Sequence, residues 1–91
     1  MAKKVSDHLD AKGTRLVSFT QEDGSNFALA LTYELGQQYP VLRLFGRQNY
    51  GLQKASHRLF DALLHLAGQS DFEAVMQAMK ESVAVPSKNR K

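Results

Sequence analysis

The feature that most constrains this chain is a change of hydrophobic period near residue 50. Across residues 14–45 apolar residues recur at every second position, whereas from residue 52 onward they recur every three or four. The first spacing belongs to half-buried strands and the second to amphipathic helices. A chain that collects its strands first and its helices afterwards reads as an α+β domain.

In the first part, Val17 and Phe19 alternate with Leu16, Ser18 and Thr20, and Phe27, Leu29, Leu31 and Tyr33 alternate with Ala28, Ala30 and Thr32. Between the two runs, Asp23-Gly24 supplies the positive φ that a tight hairpin demands. Pro40 fits the first position of a third strand over residues 41–45, where its missing N–H need not join a ladder. Leu42 and Leu44 then face the core, and Val41, Arg43 and Phe45 share the opposite side with the small residues of the hairpin. Short connections predict a three-stranded antiparallel meander.

The second part predicts two helices. Leu52, Ala55, Leu59, Leu63 and Leu66 form one stripe, widened by Phe60 and Ala67 and stopped by Gly68. Ser70-Asp71-Phe72-Glu73 has the form of a capping box, and Phe72, Val75, Met76, Met79 and Val83 continue as the stripe of a last helix that ends before Pro86. Ahead of the sheet, Val5 and Leu9 stand four apart before Gly13, which predicts a short N-terminal helix. Residues 1–85 are thus expected to form a single domain and residues 86–91 a basic, flexible tail.

At 91 residues the chain has room for one core, and 43% hydrophobic with 23% charged residues suits a folded domain. Without cysteine there is neither a disulfide framework nor a thiolate for catalysis or zinc. A polar start and the lack of a long apolar run predict no signal peptide and no membrane partner, leaving the cytoplasm as the expected compartment.

The net charge of +3 is modest, but its placement is uneven. Between Glu34 and Asp61 there is no acid, while Arg43, Arg47, Lys54 and Arg58 lie there beside His57; Lys88, Arg90 and Lys91 end the chain, and Lys3 and Lys4 begin it. Phosphates are contacted by Lys and Arg, and small neighbouring side chains allow a polyanion to approach. The expectation is a small non-enzymatic accessory or regulatory protein that binds DNA or RNA through Arg43, Arg47, Lys54, His57, Arg58, Lys88, Arg90 and Lys91. The element order over about residues 5–67 is similar in outline to double-stranded RNA-binding domains and to the arm-binding domains of phage integrases. The lysine-rich helix start and small-residue helix of the RNA-binding family are replaced here by a lone Lys54 and by Leu59, Phe60, Leu63 and Leu64.

Other constellations have plainer readings. Phe45 and Tyr50 have the chemistry to stack on a base, but at a strand end they are expected to plug the core. His57, Asp61 and His65 lie on one helix face, yet eight residues rise about 12 Å, too far for both histidines to reach one ion. No metal or cofactor is expected, and no nucleophile elbow, phosphate loop or paired carboxylates point to an enzyme. Phe72, Val75, Met76 and Met79 supply the alternative: a protein-interaction module, adaptor or inhibitor, docking on a larger complex through the last helix, or a homodimer paired through it.

Overall fold

A computed structural model describes residues 2–33 and 39–84. Five strands are followed by two helices: β1 (Ala2–Leu9), β2 (Arg15–Gln21), β3 (Asn26–Thr32), β4 (Val41–Phe45), β5 (Tyr50–Leu52), α1 (His57–Gln69) and α2 (Phe72–Ala84). The strands form one antiparallel sheet in chain order, β1-β2-β3-β4-β5. The α+β class and the antiparallel meander before two helices agree with the sequence, but the sheet has five strands in place of three.

Both corrections have local causes. Residues 2–9 form an edge strand and not a helix, paired with β2 from Ala2↔Gln21 to Leu9↔Arg15, with a bulge between Lys4 and Ser6. Val5 sits in that bulge and is 58% exposed, so the spacing of Val5 and Leu9 buries nothing. Gly13, read as a helix stop, instead closes a hairpin at φ 91, where Asp10 Oδ1 accepts from the backbone N–H of Lys12 and Thr14. At the other edge Leu52 pairs with Leu42 in β5, and the helix starts only at His57, where Ser56 Oγ accepts from Leu59 N–H.

The alternation of β2, β3 and β4 sorts the sheet into two faces. The inner face carries Val17, Phe19, Phe27, Leu29, Leu31, Leu42, Leu44 and Leu52, all buried. Against it pack Phe60, Leu63 and Ala67 of α1, and Phe72, Val75, Met76 and Met79 of α2. Helix α1 lies against β1 and β2, and α2 reaches β5. Phe19 stacks on Phe27 at 5.2 Å between ring centroids, and Phe27 meets Phe72 edge-on at 5.8 Å. Gly46, in the β4–β5 turn, lies so close that a Cβ there would be 2.7 Å from Phe72 Cε1 and 3.1 Å from Phe27 Cβ. The start of α2 is fixed twice: Gln21 Oε1 accepts from Phe72 N–H, and Asp71 Oδ1 accepts from Ala74 N–H. No helix among the described residues is long and apolar enough to cross a membrane.

Candidate nucleic-acid interface

With both helices on the inner face, strand register fixes what the outer face displays. One row across the sheet reads His8, Leu16, Ala30, Arg43 and Gly51; the next reads Ser6, Ser18, Ala28 and Phe45; a third reads Lys3, Thr20 and Asn26. The central strands β2 and β3 therefore contribute small side chains, Leu16 and Asn26 excepted, while longer ones stand on β1 and β4. Neighbouring strands are about 4.8 Å apart, so β1 and β4 bound a shallow trough about 14 Å wide between backbones. At the far end of the face Thr32 is opposite Val41, and Val41 is buried although it lies outside the main hydrophobic cluster.

The trough contains no acid in its paired rows. Asp7 is on the inner side, where its carboxylate accepts from Arg15 Nε and Nη2 at 3.0 and 2.7 Å. That guanidinium holds the Asp7 carboxyl down at about 2, against an ordinary value of 3.8. Asp61, Asp71, Glu73 and Glu81 belong to the helical layer, and Asp10 and Asp23 to turns. Glu22 borders one corner, in a hollow with Ala2, Lys3, Val5, Thr20 and Gln21. Lys3 and Arg43 thus stand in rows that hold no acid, with Glu22 beside Lys3 at the border.

Arg43 is half-buried, and its Nη1 would lie 3.9 Å from a Cβ placed on Gly51. The guanidinium thus reaches over to β5. Two residues along the same strand, Phe45 is 40% exposed, and across the trough Leu16 is 39% exposed. The core role expected for Phe45 is therefore corrected: as a residue of even register with Ala28 it faces outward. Tyr50, opposite Leu44, is half-buried and packs on the core.

The other predicted cations do not join Arg43. Arg47 turns toward the helices, paired with Glu73 and with its guanidinium 5.8 Å from the Phe72 ring centre. Lys54 is exposed in the β5–α1 connection at φ 57, and Arg58 is exposed in the first turn of α1. His57 Nε2 is 2.7 Å from Tyr33 Oη, a hydrogen bond that anchors the start of the helix to the end of β3. Lys88, Arg90 and Lys91 lie outside the described residues. The acid-free stretch of sequence is hence distributed over three places in the fold. Sequence reasoning missed Lys3 and His8, because only the pairing of β1 brings them beside β2.

The alternative surface is corrected more sharply. Phe72, Val75, Met76 and Met79 are 2%, 0%, 6% and 0% exposed. The apolar stripe of α2 is covered by the sheet and by α1, because five strands give it a wider floor than the three expected. Neither a docking partner nor a second copy finds that stripe at the surface. Among the described residues no group of three or more His, Asp or Glu side chains is placed to hold a metal ion, and Asp61 stands 4.0 Å from Arg15.

No protein-family model, no curated protein and no solved structure matches this chain.

Proposed function

We propose that this chain is a small accessory or regulatory protein that binds nucleic acid, without catalysis, through the outer face of its sheet. The observation that carries the reading is the composition of that face: Lys3, His8 and Arg43 around small side chains, with an exposed aromatic and no acid in the paired rows. A surface of this kind attracts phosphates by charge and lets a backbone approach closely. It also disfavours a second copy of the same face, since two such surfaces would bring like charges together.

The reading is tested by anisotropy titrations of labelled DNA and RNA across salt concentrations from about 50 mM upward, with log affinity expected to fall linearly with log salt. Lys3→Glu and Arg43→Glu should each weaken binding to all sequences and reduce the salt slope by about 0.7–0.9, whereas Lys80→Glu on α2 should leave both within error. Absence of retention on heparin, DNA and RNA at low salt would end the proposal. Equal losses from Lys80→Glu would remove the outer face from it.

A further inference from the structure

Resting on the nucleic-acid reading of the outer face, we infer that its ligand is a single strand, lying across the trough with a base stacked on Phe45, the adjoining phosphate near Arg43 and a phosphate farther along near Lys3. Three observations converge on this. The first is the pairing of an exposed ring with a cation on one strand: Phe45 and Arg43 are two residues apart on the same face, about 7 Å along β4. A ring and a cation at that separation suit a base and the phosphate beside it. Bases show their faces only when unpaired, because in a duplex the faces are stacked and only the edges are accessible.

The second is the relief of the surface. Ser18, Thr20 and Ala28 make a low floor, and among the described residues no helix protrudes from this face. A duplex is read by an element that enters its groove, and a face five strands across, about 19 Å between its outer backbones, is wider than the roughly 12 Å major groove. The third is the sparseness of charge. Lys3, His8 and Arg43 are too few to carry strong affinity through phosphates alone, so stacking has to supply a substantial share. For about two phosphates on a single strand the salt slope should be only about −1.4. An acidic helix, about 10–12 Å across, would fit the trough by width, but it offers no flat ring to Phe45.

The test uses the full chain with four probes of equal length at low salt: a (dT)12 strand, the same strand with abasic sugars, a 12-base-pair duplex, and an oligoglutamate peptide. The (dT)12 strand is expected to bind at least about tenfold tighter than the abasic strand, the duplex and the peptide, the loss that one lost stacking contact produces. Phe45→Ala should bring (dT)12 down to the level of the abasic strand, and Phe45→Trp should restore it. A thermal melt of each variant separates loss of stacking from loss of fold. Duplex binding equal to (dT)12, or a Phe45→Ala protein that still distinguishes (dT)12 from its abasic form, overturns the single-strand inference while leaving nucleic-acid binding standing. Binding of the peptide as tightly as (dT)12, or no binding of any nucleic acid, overturns both.

Discussion

The two faces of the sheet are made by the same strands and obey different rules. On the inner side the central positions are occupied by buried apolar residues, and the rings of Phe19, Phe27 and Phe72 pack together there. On the outer side the alternate positions hold serine, threonine, alanine and glycine, bounded by Phe45, Leu16, Arg43 and Lys3. Packing accounts for these buried inner residues. It does not account for the exposed ring of Phe45 on the outer face. The difference separates residues retained for stability from residues available for a ligand.

The contrast is broken most directly by removing one aromatic from each face. Phe27→Ala should cost about 3–5 kcal/mol, measured by urea unfolding, because it empties the centre of the core. Phe45→Ala should cost within about 0.5 kcal/mol, as expected of a surface position. Comparable losses at both positions would mean that Phe45 is structural. Gly46→Ala comes next, with an expected loss of about 1–3 kcal/mol, because the added methyl must displace the Phe72 ring at the base of α2. A neutral result would show that the β4–β5 turn yields freely.

The smallest effect belongs to the edge strand. Asp7, held at about 2 against 3.8 by Arg15, contributes stability that is fully present above about pH 4 and is lost as the pH falls through 2. Both side chains touch solvent, so Asp7→Asn should cost only about 0.2–1 kcal/mol at neutral pH, less at high salt, and only a small part of that at pH 2. A difference that persists unchanged at pH 2 would assign the effect to packing and not to the ion pair.

What was legible in the residues follows the same division. Val17, Phe19, Phe27, Leu29, Leu31, Leu42 and Leu44 alternate because one side of their strands is buried, and that alternation revealed the three central strands and both of their faces. Strand β1 left no such mark: its inward positions after Ala2 are Lys4, Asp7 and Leu9, which are exposed, and a bulge breaks its period at Val5. Strand β5 is three residues long, and Leu52 and Ala55 happen to continue the α1 stripe, so the cap at Ser56 was overrun. The candidate site was half legible. Arg43 and its small neighbours were assigned to the outer face from alternation alone, whereas the diversion of Arg47 to Glu73 depends on a contact between residues 26 apart in the chain. The burial of the Met76 and Met79 stripe depended on two strands that the periodicity did not disclose.

The central claim, that the outer face of the sheet is where nucleic acid binds, is tested most directly by titrating (dT)12 into 15N-labelled protein and following backbone amide shifts. The account predicts that the largest changes fall on Lys3, Ser18, Ala28, Arg43 and Phe45, while α1 and α2 remain still. Shifts concentrated at Lys54, His57 and Arg58, or absent throughout at low salt, would contradict it.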